Sequence, residues 1–424
     1  MTTRCACVFM VLMFAVVGAY GQELPPPQKL PEGNPSPQLE AAVIMPETEP
    51  VEVLPDGMFA NPATDTGYII PTYRGRLSYL HWWTRDDRYP VFLTVGSSGD
   101  AMPGVIGQTN TRALDSDTED EEGRSGFRLN IGYTLDSVEP QAWEFDFFFL
   151  GQRRTEFPYR LDSDQVLARV YIDADTLAES AFIVSQTDVA NGFVDAFART
   201  DFWGMEWNNR YLTTYNSPPR FVQFLIGIRY LQLDDFLRIT EVSTDAAPLG
   251  DATRDDFIAR YDEFSSNNHF FGPQIGAEAE WNHNRMYCSV FLKVALGVTF
   301  QNISIRGKTT TVNNGIITGP LPIGFLARET NIGNYDDVKF GVIPELGFHL
   351  GYEVSNHCRL TVGYNYLYWS AVGRASAQVD RQIHGDTLAQ PAVVNNVTPA
   401  RPRFRFHQDD YWAQGLTFSL ELRY

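Results

Sequence analysis

Long apolar runs, cysteines and basic residues are all scarce in this chain of 424 residues. After residue 19, no run approaches the ~18 apolar residues that a transmembrane helix requires. The chain has 33 Lys and Arg against 52 Asp and Glu, a formal net charge of −19. This charge argues against nucleic acid as a partner, because phosphate binding needs a basic surface.

Four cysteines are present, and Cys5 and Cys7 lie in an apolar N-terminal run. The remaining two, Cys288 and Cys358, each follow a tight turn between predicted strands, with one further strand between theirs. That arrangement separates their backbones by about 10 Å at the ~4.8 Å spacing of strands, whereas a disulfide needs less than about 7 Å. We therefore expect two free, buried thiols.

Catalytic motifs are also lacking, since the chain has no GxSxG, HExxH, Walker A or paired CxxC pattern. Of seven histidines, only His349 falls on a predicted polar strand face near carboxylates, those of Glu345 and Glu353. A Ser-His pair would have to assemble from separate strands. We interpret His349 as part of a polar network, and we predict no enzymatic activity, no cofactor and no dedicated metal site.

The N-terminus has the features of a secretory signal peptide of the Sec type. Arg4 precedes an apolar run that ends at Ala19, and the small residues there predict cleavage between Gly21 and Gln22. The segment that follows, residues 22–72, is rich in proline and lacks periodicity, which predicts a disordered linker. An exported chain without helical spans is either soluble outside the membrane or a barrel within an outer membrane.

The clearest pattern is a strand hairpin over residues 340–369. Apolar and polar residues alternate along both arms, which is the side-chain period of a β-strand. The arms are longer than the usual five or six residues. Long strands of this kind are typical of a transmembrane barrel with an apolar outer face and a polar lumen. The apolar face of the first arm carries Phe340, Val342, Pro344, Leu346, Phe348, Leu350 and Tyr352.

The same alternation recurs as far as the C-terminus, and ten segments fit it. They are residues 76–85, 126–135, 142–151, 202–213, 220–239, 269–281, 286–305, 340–354, 359–372 and 415–424. Two further strand-like runs, residues 166–173 and 181–186, raise the predicted number to twelve, within a range of ten to fourteen. We predict an all-β fold, a single antiparallel transmembrane barrel over residues 73–424.

Connection lengths alternate strictly between long and short. Short breaks occupy residues 136–141, 215–219, 282–285 and 355–357, and long ones occupy residues 86–124, 152–201, 240–268, 307–338 and 373–413. Outer-membrane barrels have short periplasmic turns and long outer loops. The pattern therefore predicts a bacterial outer-membrane protein with both termini in the periplasm.

Charged residues of both signs fall on the predicted polar face. The candidate lumen-lining residues are Arg128, Glu144, Asp146, Glu206, Arg210, Arg229, Glu278, Glu280, Lys293, Glu345, His349, Glu353 and Arg359. Such a set either lines a water-filled path with a mild cation preference or pairs across the interior and plugs it. Because ten to twelve strands fall between filled eight-stranded and open sixteen-stranded barrels, both alternatives stay open.

Two segments suggest partners in addition to outer-membrane lipid. The acidic run from Asp115 to Glu122 could hold divalent cations, although it lacks the EF-hand spacing and a solvated loop is the simpler interpretation. The final alternating segment ends in Tyr424, similar to the terminal signal that barrel-assembly machinery recognises. Ser419 stands where many such signals have a glycine.

Three stretches are distinctive in sequence and spacing. They are LSYLHWWT from Leu77 to Thr84, KVALGVTFQNISIRG from Lys293 to Gly307, and the series GFLARETNIGNY, FGVIPELGFHLGYEV and LTVGYNYLYWSAVGR. Over roughly residues 74–374, the chain resembles the putative β-barrel porin family of type seven, outer-membrane proteins common in planctomycete-type bacteria. The resemblance implies a signal peptide, a barrel and the outer membrane, and it adds little about substrate.

Three functions fit these observations. The leading hypothesis is a porin-like barrel that passes ions or small polar solutes through a narrow lumen. The second is a structural or surface-interaction barrel with a closed lumen, and the third is a soluble secreted β-sandwich that binds a ligand. Detergent dependence separates the first two from the third, and conductance separates the first from the second.

Overall fold

The computed structural model describes residues 72–114, 123–135, 141–159, 161–214, 221–245, 256–313, 315–385, 388 and 400–424. Its strands, in chain order, are β1 (Tyr73–Thr84), β2 (Leu93–Ser97), β3 (Arg112–Ala113), β4 (Arg124–Leu135), β5 (Gln141–Glu156), β6 (Gln165–Asp173), β7 (Glu179–Ser185), β8 (Ala190–Thr214), β9 (Phe221–Asp245), β10 (Phe257–His283), β11 (Met286–Asn313), β12 (Ile316–Leu321), β13 (Gly333–Ser355), β14 (Cys358–Gly373), β15 (Gln382–Ile383) and β16 (Gln408–Arg423). The predicted signal peptide, its cleavage site and the acidic run lie outside the described residues, as does the linker up to residue 71. No helix among the described residues combines the length and apolar composition that crossing a membrane demands.

Ten strands close into a ring of antiparallel neighbours. The ring order is β1, β4, β5, β8, β9, β10, β11, β13, β14 and β16, with β16 returning to β1. The same sheet contains β12, which pairs with β11 and stands outside the ring. Closure places Leu77 of β1 opposite Leu420 of β16, so the ring has no unpaired edge. The predicted antiparallel barrel is confirmed, and ten strands fall within the predicted range.

Side-chain exposure alternates along the ring strands as the sequence predicts. On β13, Phe340 is 65% exposed and Glu345 is 1% exposed. The apolar outer face from Phe340 to Tyr352 spans roughly 30 Å, for a strand that rises ~3.3 Å per residue and is tilted by about 40°. This height matches the hydrocarbon core of a bilayer. The soluble β-sandwich hypothesis is therefore wrong, because the apolar side chains face outward and the charged ones are enclosed.

Aromatic side chains surround the end of the barrel at which β10 meets β11 and β13 meets β14 in tight turns. We call this the turn end and the opposite one the loop end. The exposed aromatic residues near the turn end are Tyr73, Tyr133, Trp143, Tyr211, Trp281, Tyr352 and Tyr424. Tyr and Trp favour the membrane–water interface, where an apolar ring and a polar tip are both accommodated. The girdle marks where the barrel leaves the lipid at this end.

Strands β8 to β11 extend well beyond the apolar band at the loop end. They contain 25, 25, 27 and 28 residues, against 12 in β1. The predicted long loop at residues 240–268 is wrong in this respect, because β9 continues to Asp245 and β10 begins at Phe257. Their inner faces carry Glu241 and Asp262 among apolar residues, which conceals the alternation in the sequence.

A separate sheet of five strands is built from the long connections. It contains β2, β3, β6, β7 and β15, which come from three different connections of the barrel. The runs at residues 166–173 and 181–186 form β6 and β7 of this sheet, so their predicted place in the barrel is wrong. Successive residues of β6 are buried on both faces. A strand covered on both sides has no lipid-facing surface.

We call this sheet, the loop-end extensions of β8 to β11 and the connecting loops the outer cap. One hydrophobic core joins its parts, with members Leu93, Leu167, Val194, Leu237, Ile239, Phe264, Ile303, Ile305 and Phe325. The β9 members, Leu237 and Ile239, belong to the same inward-facing series as the lumen residue Arg229. The core of the outer cap therefore fills the loop end of the barrel.

A buried arginine ties the five-stranded sheet to the barrel wall. Arg169 of β6 places Nη1 3.0 Å from Glu241 of β9 and Nη2 2.9 Å from Asp262 of β10. All three side chains are fully enclosed. Because an unpaired charge at such a position is costly, the contact fixes where the sheet sits against β9 and β10.

Cys288 of β11 and Cys358 of β14 are free thiols, and β13 lies between their strands as expected. Both side chains are partly exposed, so the expectation that they are buried is wrong. They belong to the outward-facing series of their strands, together with Val290 and Leu360. Their position near the turn end therefore exposes them on the outside of the barrel.

Candidate functional site

The predicted lumen residues all lie on ring strands, on the enclosed side. Buried members are Arg128, Glu144, Asp146, Glu206, Arg210, Arg229, Lys293, Glu345, His349 and Arg359, and half-buried members are Glu278, Glu280 and Glu353. Period-two alternation brings them together, because every second residue of each ring strand points inward. All of them except His349 belong to two groups of ion pairs at different depths.

The deeper group, which we call the central cluster, contains Arg128, Asp146, Glu206, Arg229, Lys293 and Glu345. Arg128 Nε donates to Asp146 Oδ1 at 2.8 Å, and Arg128 Nη1 donates to Glu345 Oε1 at 2.9 Å. Lys293 Nζ donates to Glu206 Oε2 at 2.9 Å. Arg229 donates through Nη2 to both Glu206 and Glu345. Three cations thus face three anions with no excess of either sign.

The central cluster reaches across the lumen. Arg128 stands on β4 and Glu345 on β13, four steps apart around the ring of ten strands. Lys293 of β11 and Glu206 of β8 are three steps apart on the other side. Side chains from opposing walls therefore meet in the middle of the barrel. These contacts place charged side chains across the lumen at this depth.

Burial sets the energetics of this cluster. Removing an ion from water costs several kcal/mol, and close pairing in a low-dielectric interior offsets that cost. Polar neighbours add to the offset, since Gln274 Nε2 donates to Glu206 Oε2 at 2.9 Å. Loss of one member would strand a partner such as Arg229, which is completely enclosed. The cluster is therefore expected to be rigid as long as its charges are intact.

A second set of pairs, the turn-end cluster, lies nearer the turns. It contains Arg74, Arg76, Glu144, Arg210, Glu278, Glu280, Glu353, Arg359, Glu421 and Arg423. Arg210 bridges two carboxylates, with Nη1 2.8 Å from Glu278 and Nη2 2.9 Å from Glu144. Arg359 Nε donates to Glu353 at 2.8 Å. Opposite charges are paired here too.

Above the central cluster, towards the loop end, lies an apolar layer that we call the apolar plug. Its members are Leu80, Trp82, Phe148, Leu150, Phe202, Leu231, Leu233, Phe270, Ala295, Ile343, Leu367, Trp369, Val372, Tyr411 and Ala413. Aromatic rings follow one another across the lumen, with centroids 6.0 Å apart for Trp82–Phe148 and 5.2 Å for Phe148–Phe202. The series continues through Trp369, whose ring centroid lies 6.5 Å from that of Phe202.

The polar atoms of the apolar plug are satisfied. Trp82 Nε1 donates to Thr417 Oγ1 at 3.2 Å, and Trp369 Nε1 donates to Thr299 Oγ1 at 3.0 Å. Buried indole N–H groups normally find such partners. With these bonds made, the rings pack as an ordinary protein core inside the barrel. The layer contributes no charged side chain to the lumen.

The predicted polar-network histidine has polar and aromatic neighbours. His349 Nε2 lies 3.3 Å from Asn365 Oδ1, and its ring centroid is 5.4 Å from that of Phe291. Asn365 Oδ1 also accepts from Thr417 Oγ1 at 2.9 Å. Among the described residues, no group of three or more His, Cys, Asp or Glu is arranged to hold a metal ion.

Sequence reasoning missed Arg74, Arg76 and the whole apolar plug. The signal for the two arginines is present, because they alternate with Leu77 and Tyr79 on β1 and so fall on its inner face. The plug is harder to find, since an inward Phe148 cannot be told by composition from its outward neighbour Phe147. Phe148 can be assigned to the lumen only because it lies two residues after the inward-facing Asp146 on the same strand.

The comparison with family models agrees with a barrel. The sequence model of the family described as "Putative beta barrel porin-7 (BBP7)" matches residues 75–424. Among curated proteins, none matches the chain. The solved structures that match include the outer membrane protease OmpT from Escherichia coli, at 8% identity and a TM-score of 0.35, covering 84% of this chain and 99% of that one.

Two further solved structures are similar at low scores. The P. putida toluene transporter TodX shares 9% identity at a TM-score of 0.17, with 86% of this chain and 91% of that chain covered. A Pseudomonas aeruginosa FadL homologue shares 8% identity at a TM-score of 0.21, with 83% and 90% covered. Similarities at this level say nothing about activity or substrate.

Proposed function

We propose, from the premise that the chain belongs to the putative beta barrel porin-7 family, that it keeps its lumen closed at rest and acts through its outer surface. The protein is a β-barrel of the bacterial outer membrane. In this proposal it is a structural or surface-interaction barrel, with the outer cap as the part that meets the exterior. The observation that carries the proposal is the apolar plug, which packs aromatic rings across the full width of the lumen.

Three successive layers of side chains fill the barrel and support a closed lumen. The turn-end cluster, the central cluster and the apolar plug occupy the barrel from one end to the other, and the core of the outer cap follows. Ten strands enclose little more space than the eight that side chains alone can fill. A steady flow of hydrated ions would need all of these layers to part together.

A liposome-swelling assay tests this proposal directly. Proteoliposomes loaded with a large polymer are diluted into isotonic solutions of a small sugar, an amino acid or a salt. We expect swelling no faster than that of protein-free liposomes for each solute. Swelling that grows with the amount of folded protein and declines with solute size would contradict the proposal.

Passage of ions or small polar solutes is the second candidate, and the central cluster is the observation that favours it. Buried ion pairs are often no more stabilising than apolar residues of the same volume, so a purely structural interior has no need of them. Charges that exchange partners could open a narrow polar path. This candidate predicts current only above a threshold voltage, whereas the first predicts none at any voltage.

Assembly into the membrane is proposed to depend on β16, through recognition by barrel-assembly machinery. Support comes from its place in the ring, where β16 pairs with β1 on one side and β14 on the other. The barrel cannot close until this strand is seated. We further propose that the protein has no enzymatic role.

A further inference from the structure

A basic segment of the outer cap separates its residues into two faces. Over residues 401–407, sequence RPRFRFH, the side chains alternate between arginine or histidine and proline or phenylalanine. Pro402 is buried, and Phe404 and Phe406 pack against the core of the outer cap. Phe404 also stacks on Tyr335 with ring centroids 3.6 Å apart. The apolar face anchors the segment, so the basic face is held in a fixed direction.

The basic face lines a cavity of about 240 Å³. Arg401, Arg403, Arg405 and His407 line it from one segment, and Asp380 with Gln382 lines it from the chain near β15. A cavity of this size lies below the roughly 300–1,000 Å³ of drug-sized ligand pockets. It suits a small charged group. We call it the arginine pocket.

The one carboxylate of the arginine pocket is already engaged. Asp380 Oδ2 accepts from Arg401 Nη1 at 3.0 Å and from the backbone N–H of Arg403 at 2.9 Å, and Asp380 Oδ1 accepts from the backbone N–H of Gln382 at 3.0 Å. These bonds join the basic segment to the chain near β15. They also leave the carboxylate little capacity to neutralise a second guanidinium.

Arg403 is half-buried in the arginine pocket, and Arg405 is exposed there. Among the described residues, no carboxylate lies within ion-pair distance of Arg403 or Arg405. A guanidinium group without a carboxylate partner offers its N–H donors and its charge to an anionic ligand. Positive charge concentrated in this way is unusual in a chain of net charge −19.

We propose that the arginine pocket binds a phosphate monoester, carried either by a lipid headgroup or by a free sugar phosphate. Guanidinium groups match phosphate geometry through paired N–H donors, and their charge persists at any physiological pH. Gln382 adds an amide that suits the hydroxyls of a sugar. The proposal goes beyond the proposed function, because binding on the outer cap is independent of whether the lumen conducts.

Isothermal titration calorimetry tests this proposal by measuring how tightly each probe binds the detergent-solubilised full-length protein. The probes are inorganic phosphate, glucose 6-phosphate and glucose, with detergent micelles containing phosphatidic acid as the lipid arm. Two variants remove pocket charges, Arg403→Gln and Arg405→Gln. Arg112→Gln is the matched control, since Arg112 is exposed on β3 of the outer cap and does not line the pocket. Heat-shifted gel migration confirms that each variant is folded.

We expect saturable binding of glucose 6-phosphate or of phosphatidic acid micelles, and none of glucose. Each pocket variant should weaken it about tenfold or more, as for the loss of a charged hydrogen bond. Arg112→Gln should bind like the wild type. Arg403→Lys should fall between, because lysine keeps the charge and loses the paired donors. Binding of the sugar phosphate alone or of the micelles alone identifies the source of the phosphate, and either supports the site.

Two results would overturn the proposal. One is a folded wild type that binds neither glucose 6-phosphate, nor inorganic phosphate, nor phosphatidic acid micelles. The other is binding that the Arg403→Gln and Arg405→Gln variants retain at full strength. A failed swelling or current experiment would leave this proposal unaffected, and a failed binding experiment would leave the closed lumen unaffected.

Discussion

At the scale of single residues, the interior of the barrel depends on partners rather than on individual charges. Arg229 is completely enclosed and donates to Glu206 and Glu345 together. A charge at such a position is tolerable only while its neighbours carry the opposite sign. On the outer face no charge is tolerable, because lipid offers no partner to it. These two rules give separate predictions for inward and outward positions.

Glu345→Gln should destabilise the folded barrel by about 3–5 kcal/mol, because it leaves Arg128 and Arg229 without their shared carboxylate. Urea unfolding in lipid vesicles measures the change. The control is Glu156→Gln, which breaks the solvent-exposed pair with Arg154 and should have little effect. Equal losses in the two variants would mean that the central cluster is no better enclosed than a surface pair.

Leu292→Arg should destabilise the barrel by roughly 2–4 kcal/mol in vesicles, since a charge near the bilayer midplane loses its hydration. Leu292 is 54% exposed on β11 and lies opposite Leu346 of β13 in the middle of the apolar band. Ile317→Arg is the control, because Ile317 is 71% exposed on β12, outside the ring. If Leu292→Arg did not change the stability of the barrel, this face would lie in water and not in lipid.

Sequence alternation predicted the direction of most residues but could not predict their partners. The pairing of Arg128 with Glu345 joins positions 217 residues apart, and no local pattern encodes it. Composition misleads at the apolar plug, where Phe148 points inward and Phe147 outward along one aromatic run. Polarity distinguishes the faces of a strand only where the two faces differ.

At the scale of elements, strand length separates the membrane part of the barrel from the outer cap. The predicted boundaries end strands where polar residues begin, and so they shorten β8 to β11. In the structure these four strands continue past the lipid and are held there by the core of the outer cap. Backbone pairing continues without regard to side-chain polarity, because each N–H still needs an acceptor.

Replacing β6 and β7 by a short Gly-Ser linker should leave a barrel that still assembles and still conducts no ions. The ring, the central cluster and the apolar plug contain no residue of β6 or β7. Asp262→Asn accompanies the replacement, because Arg169 no longer pairs with this carboxylate, whereas Glu241 keeps Arg260 as its partner. Heat-shifted migration reports assembly.

The comparison variant keeps β6 and β7 and carries Asp262→Asn and Arg169→Met, so that Glu241 still pairs with Arg260. It should match the replacement variant in ion flux and remain more stable, since the packing of the sheet is retained. Ion flux from vesicles that appears only when β6 and β7 are missing would show that the outer cap closes the lumen, and not the side chains within it.

At the scale of the whole molecule, the protein is a barrel whose interior is filled by charged and apolar side chains and whose outer surface is apolar. Alternation, loop asymmetry and strand number allowed the outer-membrane barrel to be predicted from sequence, because each follows from one strand crossing a bilayer. The state of the lumen could not be predicted, because it depends on how far side chains reach from opposite walls. Ten strands bring those walls close enough for Arg128 and Glu345 to touch.

Current through single protein molecules in planar bilayers tests the closed lumen most directly. The control is an outer-membrane porin of known conductance in the same bilayers, which shows that the assay detects an open barrel. We expect the wild type to give no discrete current steps over the voltage range in which the porin conducts. Steady steps from the wild type, proportional to voltage, would contradict the account.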